Sequence, residues 1–208
     1  MSTALTQANT FQKSRTLKLV NSVQRRLFDY EFLGMQNIDK EKPSILVGNH
    51  SIYSYDVAIM LVELKLQKDI EVRALGDKLH DDIPYWRDLL KNHGVVAATP
   101  ENCTQLMQNR EHILVFPGGA REALKRKGEE HRLFWKKRTG FARMALANRY
   151  PITPFFVYGA DLGYDILWDY SVMKKNRVLA PLFRKKGRLN ELLRDGELMP
   201  PFVVGRYN

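Results

Sequence analysis

Apolar positions along the chain change period several times, and each change marks an element. Between Ser14 and Leu33, residues Leu17, Val20, Val23, Leu27 and Tyr30 recur near the spacing of one helix face, with Lys18, Arg25 and Arg26 between them. This predicts an amphipathic helix over 14–33, stopped by Gly34, whose basic side suits packing on a core or lying on an anionic lipid surface. Residues 1–13 show no such period and are expected to be disordered. Ile45, Leu46 and Val47 form an uninterrupted apolar run between Pro43 and Gly48, the pattern of a short buried strand.

Further on, the alternation over 70–75 and the apolar residues of 94–98 and 113–116 predict three more strands. Asp56 opens the run Val57, Ile59, Met60, Leu61 and Leu64 as a helix with an acid in its first turn. Thr99-Pro100-Glu101 supplies an N-cap, a first-position proline and a first-turn acid, so a helix is expected to about Asn109. Another covers 139–149 and ends before Pro151. A strand over 152–158 is interrupted by Pro154, which places it at an edge or bulge. Strands alternating with helices across 43–158 predict an α/β fold, a mixed and mostly buried β-sheet flanked by helices, within a single domain spanning 1–208. The remainder is less regular.

Charge adds a constraint on partners. A formal net charge of +10 over 208 residues calls for something anionic: nucleic acid, lipid headgroups or a phosphorylated substrate. The stretch 124–138 concentrates Lys125, Arg126, Lys127, Arg132, Lys136, Lys137 and Arg138 around Phe134 and Trp135. It suits such a partner, although a solvated face is the ordinary explanation. No apolar run approaches the roughly 18 residues of a membrane span, so membrane contact is expected to be peripheral. Cys103 is the only cysteine, which excludes an internal disulfide and a multi-cysteine metal site. It falls within the helix after Thr99 and is expected to be a small core residue rather than a nucleophile.

Two stretches carry candidate chemistry. In Asn49-His50-Ser51-Ile52-Tyr53-Ser54-Tyr55-Asp56, a histidine just past a strand end shares a corner with a helix-initiating carboxylate. Neutral imidazole takes a proton near pH 7 when a carboxylate fixes its tautomer. The same residues also fit a loop histidine beside a helix cap. In Pro117-Gly118-Gly119-Ala120-Arg121-Glu122, two glycines after a strand let backbone N–H groups approach an anion, and Arg121 could add a charge-assisted bond. An ordinary Gly-Gly turn followed by a surface Arg-Glu pair is the more usual explanation of this stretch alone. No Gly-x-Ser-x-Gly elbow occurs, which disfavours a serine hydrolase.

Taken in order, these motifs resemble the glycerolipid and lysophospholipid acyltransferase superfamily, in particular its diacylglycerol-acyltransferase-like branch. The resemblance runs over 43–165. It includes Asn49-His50 through Asp56, Ile83-Pro84-Tyr85-Trp86-Arg87-Asp88-Leu89-Leu90, and Leu114-Val115-Phe116-Pro117-Gly118-Gly119-Ala120-Arg121-Glu122. Phe134-Trp135-Lys136-Lys137-Arg138-Thr139-Gly140 and Pro151-Ile152-Thr153-Pro154 follow. The gap from His50 to Asp56 is one residue longer than the commonest family pattern, and Pro100 stands where many relatives carry arginine.

The resemblance implies a glycerol-3-phosphate acyltransferase-like fold and transfer of an acyl group from acyl-CoA or acyl carrier protein to a lipid hydroxyl. His50 would be the general base and Asp56 its orienting partner, with Asn49, Phe116, Pro117, Gly118, Gly119, Arg121 and Glu122 on the substrate side. No metal and no cofactor beyond the thioester co-substrate is expected. The implied partners are the acyl thioester, the lipid acceptor and an anionic membrane surface on the cytoplasmic side, with no nucleic acid. Gly118-Gly119, in place of a glutamate-glycine pair, leans toward a neutral alcohol such as diacylglycerol. A lysophosphatidate-type acceptor is the alternative, and a non-catalytic lipid- or nucleic-acid-binding protein is the alternative of another class.

Overall fold

The computed structural model describes residues 14–77, 85, 88, 90, 91, 93–176, 180 and 199–205. The 1–13 tail, most of the 83–90 motif and the basic cluster around Arg184 lie outside the described residues. The described chain gathers into two compact units. One comprises the residues up to Gly48, Val57–Phe116 and Thr139–Phe155; the other comprises Asn49–Asp56, Pro117–Arg138 and the residues from Phe156 onward.

The first unit is built on a five-stranded sheet of β1 (Ile45–Val47), β2 (Val72–Gly76), β3 (Val95–Ala97), β4 (His112–Val115) and β5 (Ile152–Pro154), in the order β3-β2-β4-β1-β5. Every pairing within it is parallel. Parallel neighbours need a crossover, and α2 (Tyr55–Lys68) follows β1, α3 (Pro100–Gln108) follows β3 and α5 (Gly140–Asn148) precedes β5. Central parallel strands are covered on both faces, so they read as continuous apolar runs rather than alternating ones. Ile45, Leu46, Ile113 and Leu114 accordingly have no exposed surface. Leu46 and Leu114 pack with Met35, Met60, Leu64, Ile70, Val72 and Ala74 as the core. Pro154, which lacks an N–H, sits in the edge strand, where its missing donor leaves no ladder bond unmade. Thr99 caps α3 by accepting from the Asn102 N–H at 3.2 Å, so Pro100 serves as a helix-starting residue.

Helix α1 (Ser14–Leu27) is shorter than its periodicity predicts. The chain leaves it before Tyr30, whose hydroxyl donates to Glu63 at 2.9 Å together with Asn21 at 2.7 Å and Arg25 at 2.5 Å. Glu63 is buried, and satisfying its carboxylate draws these donors inward. Leu17 is buried as well, whereas Leu19, Val23 and Leu27, one helical stripe, face outward.

The second unit contains the short helix α4 (Gly119–Ala123), the helix α6 (Tyr170–Lys175) capped by Asp169, and an antiparallel pair of β6 (Tyr164–Trp168) with β7 (Phe202–Gly205). Parallel and antiparallel pairing therefore both occur, but in separate sheets: the α/β fold is as expected, while its main sheet is wholly parallel rather than mixed. Among the described residues, no helix is long and apolar enough to cross a membrane.

Candidate active site

Two residues after β1 ends, the chain enters the second unit at Asn49, in a loop containing His50, and α2 begins at Tyr55 with Asp56 in its first turn. The loop folds back so that His50 Nδ1 lies 3.4 Å from Asp56 Oδ1, both side chains being largely buried. That separation is longer than an ideal charge-assisted hydrogen bond, as is common for catalytic pairs without substrate. Ser51 fixes the carboxylate by donating from its hydroxyl to Oδ1 at 2.7 Å and from its N–H to Oδ2 at 3.2 Å. Burial raises the Asp56 carboxyl, but the hydrogen bond and charge of His50 and the two bonds from Ser51 outweigh it and hold the group below its ordinary value. The side chain thus stays anionic at neutral pH and favours the tautomer with the proton on Nδ1. Nε2 is then an acceptor, and Ser54 Oγ lies 2.9 Å from it.

The backbone of His50 is held from both sides. Its N–H donates to Glu122 Oε2 at 2.9 Å, and its carbonyl accepts from Lys125 Nζ at 2.6 Å. Glu122 is fully buried and uses its other oxygen to accept the Phe134 N–H at 3.1 Å. Lys125 is 1% exposed and pairs with Asp161 at 2.8 Å. Asp161 in turn accepts the N–H groups of Ile52 at 3.1 Å and His131 at 3.2 Å. Asn49 adds a reciprocal clamp, donating to the Val157 carbonyl at 2.8 Å and accepting the Val157 N–H at 2.7 Å. The polar atoms of Glu122 thus bond the His50 and Phe134 backbone, and those of Asn49 the Val157 backbone.

Lys125 and Asp161 are positioning groups that sequence reasoning missed. Lys125 stands in a run of like residues and reads as surface. Its neighbours also fold back: Arg126 lies over the Tyr170 ring at 5.1 Å, and Arg138 donates to the Pro117 and Gly118 carbonyls at 3.0 and 2.7 Å. No periodicity separates the one buried lysine from them.

Close packing requires the first glycine of the turn. A Cβ on Gly118 would lie 2.4 Å from Glu122 Oε2 and 2.5 Å from both its Cβ and Cδ. Gly119 has φ +55°, a left-handed value that glycine adopts freely. Phe116 belongs to the first unit, its ring edge-on to Phe155 at 5.7 Å. Arg121 is buried, with Nη2 on both Glu129 oxygens at 2.5 and 2.6 Å and its guanidinium 4.2 Å from the Phe134 ring centroid. The same pairing, against the cost of burial, holds the Glu129 carboxyl below its ordinary value. Gly118→Ala is expected to destabilise the fold by about 1–3 kcal/mol, because Glu122 cannot yield without releasing His50 and Phe134. Gly140→Ala, where an added Cβ meets nothing within 4 Å, is the control, and equal thermal midpoints for the two variants would refute the packing argument.

A histidine beside a carboxylate, on a loop held by buried charges, has the geometry to accept a proton from a hydroxyl or similar group. The phytyl ester synthase 2 of Arabidopsis thaliana is 32% identical over 172 residues, covering 78% of this chain and 24% of that protein. The bovine DGAT1/2-independent enzyme synthesizing storage lipids is 28% identical over 138 residues, covering 66% of this chain and 41% of that one. The chain thus spans between about a quarter and two fifths of the length of these relatives. The crystal structure of the 1-acyl-sn-glycerophosphate acyltransferase of Thermotoga maritima is 18% identical, with a TM-score of 0.46 over 73% of this chain and 63% of that one. The family model for acyltransferases matches residues 29–158, more than half of the chain and including the His50 loop and the glycine turn, so this protein belongs to the acyltransferase family.

Proposed function

We propose that this chain transfers a fatty acyl group from a thioester, acyl-CoA or acyl carrier protein, to the hydroxyl of a neutral lipid alcohol, with His50 as general base. The observation that carries this reading is the His50–Asp56 pair itself, with Nε2 turned to a hydroxyl at 2.9 Å. Nε2 takes the proton as the hydroxyl oxygen attacks the thioester carbonyl, Asp56 stabilises the imidazolium that forms, and the departing thiolate takes the proton when the C–S bond breaks. A thioester is already activated, so holding the reactants together and supplying a base account for most of the task.

A neutral acceptor is supported by Arg121, whose charge is met by Glu129 rather than left for a phosphate. The names of the relatives, a phytyl ester synthase and an enzyme synthesizing storage lipids, agree with uncharged products. The outward stripe of Leu19, Val23 and Leu27 beside Lys18 and Arg26 supports peripheral docking on anionic membrane, where such acceptors dissolve.

The test presents long-chain acyl-CoA or acyl carrier protein to purified protein with diacylglycerol, a long-chain alcohol or lysophosphatidate in anionic vesicles, and identifies products by mass spectrometry. Esters of the neutral alcohols should exceed the lysophosphatidate product at least about tenfold, a difference of roughly 1.4 kcal/mol in transition-state binding. The yield should fall as salt weakens vesicle binding. Preference for lysophosphatidate would reverse the acceptor assignment, and no thioester consumption with any acceptor would end the reading.

A further inference from the structure

A hydroxyl of the protein stands where the acceptor hydroxyl has to be. Ser54 Oγ lies 2.9 Å from His50 Nε2, and with Asp56 favouring the proton on Nδ1, Ser54 donates and Nε2 accepts. Direct transfer needs the same ring nitrogen for the lipid alcohol, and that nitrogen has a single lone pair. We propose that Ser54 gates the base: it holds Nε2 against water, gives way to an alcohol whose hydrocarbon portion is already bound, and so sets the preference for a lipid hydroxyl over water. This rests on the acyl-transfer reading above, deepens the specificity of that site, and leaves the transfer direct from thioester to lipid.

The backbone explains how a serine four residues along the loop is kept at the ring. Tyr53 (φ 59°, ψ 8°) and Ser54 (φ 61°) are consecutive left-handed residues, neither of them glycine. Such a conformation persists only where the surroundings impose it, and it concentrates at functional sites. Here the surroundings are tight. The Tyr53 hydroxyl donates to the Pro201 carbonyl, the Ser54 N–H to the Ser51 carbonyl at 3.1 Å, and the Tyr55 hydroxyl to the Ala160 carbonyl at 2.9 Å. The rings of Tyr53 and Tyr55 both meet Tyr164 edge-on. The two serines of the loop thereby divide the pair between them, Ser51 on Asp56 and Ser54 on His50.

Displacement of Ser54 is what separates alcohol from water. A hydroxyl tethered on the same loop meets Nε2 at high effective concentration, and a water molecule brings one hydrogen bond against it and nothing else. A lipid alcohol also brings the binding energy of its chain, which takes no part in the bond changes and is available to move the serine aside. The His50 side chain is 11% exposed, so burial alone does not seal the ring, and the group standing at Nε2 decides what reaches it. Without such a gate, water would give up its proton to Nε2 as it attacked the thioester carbonyl. The C–S bond would break, the thiolate would take that proton, and free fatty acid would form in place of ester. Suppressing that side reaction by a contact that only the right substrate releases is induced fit at the scale of one side chain.

Removing the hydroxyl tests the gate. Ser54→Ala deletes it, and Ser54→Gly deletes it while suiting the left-handed backbone, a second variant should alanine disturb the turn. With long-chain acyl-CoA and no acceptor, each variant that is folded by circular dichroism should release thiol and free fatty acid at least about tenfold faster than wild type. With diacylglycerol in vesicles, the KM for the acceptor should fall and the ratio of ester to free acid should drop at least about tenfold. A serine that only supported the loop or oriented the ring would lower hydrolysis and transfer together, so hydrolysis that is unchanged or slower in the folded variants overturns the gate. Carbethoxylation of His50 by diethyl pyrocarbonate, followed by peptide mapping, reads the same screening without any transfer and should be faster in both variants. If wild type consumes no thioester with any acceptor, the acyl-transfer reading fails, and the carbethoxylation rate by itself decides whether Ser54 screens Nε2.

Discussion

His50→Ala is expected to slow acyl transfer by about 10²–10⁴-fold, the usual worth of a positioned general base, without unfolding the protein. The second half of that expectation follows from which atoms are gripped. Glu122 and Lys125 hold the N–H and carbonyl of His50, groups that alanine retains, so the loop keeps its anchors when the imidazole is removed. Asp56→Asn should cost less, because the ring remains while its tautomer is less firmly set. Ser51 would still donate to the amide oxygen, but the other position would carry an NH₂ that clashes electrostatically with the second donor. Rates measured at saturating donor and acceptor, with circular dichroism on each variant, separate lost chemistry from lost structure. Undiminished transfer by a folded His50→Ala variant would remove the mechanism.

Lys125→Met should have the largest effect on stability, about 3–5 kcal/mol, the range for breaking a buried ion pair by deleting one partner. Methionine fills much of the volume, so the loss is electrostatic: Asp161 is left 5% exposed without its cation, and the His50 carbonyl loses its donor. Against a total stability of typically about 5–15 kcal/mol, that is enough to threaten folding at physiological temperature. Urea unfolding should show a lower midpoint with an unchanged slope. Lys127→Met, an exposed neighbour, should stay within about 0.5 kcal/mol of wild type. Similar midpoints for both variants would mean that Lys125 is not the keystone of the loop.

Much of the first unit was legible from sequence because its signals are local. Continuous apolar triplets such as Ile45-Leu46-Val47 specify strands covered on both faces, and Thr99-Pro100-Glu101 carries its own cap, turn and charge. Pro154 announces an edge by the donor it lacks. The order of motifs pointed to the acyltransferase family for the same reason, since each motif is a short run of neighbours. The end of α1 was not legible: helical spacing continues through Tyr30, and what draws that residue away is the buried carboxylate of Glu63.

At the site, the sequence by itself determined that a histidine and a carboxylate share one strand-to-helix corner. Tertiary structure decided what surrounds them. Periodicity reports which residues face a core, but not which charge will be buried beside which. The pairing of Lys125 with Asp161 and of Glu122 with the His50 backbone each depends on where distant segments of the second unit come to rest. The approach of Ser54 to His50 depends on the left-handed residues Tyr53 and Ser54, the first held by the Pro201 carbonyl, and on the adjacent Tyr55, held by the Ala160 carbonyl, both far along the chain. A local pattern cannot encode such contacts, because burying an ion is favourable only once its partner has already been brought to the same place.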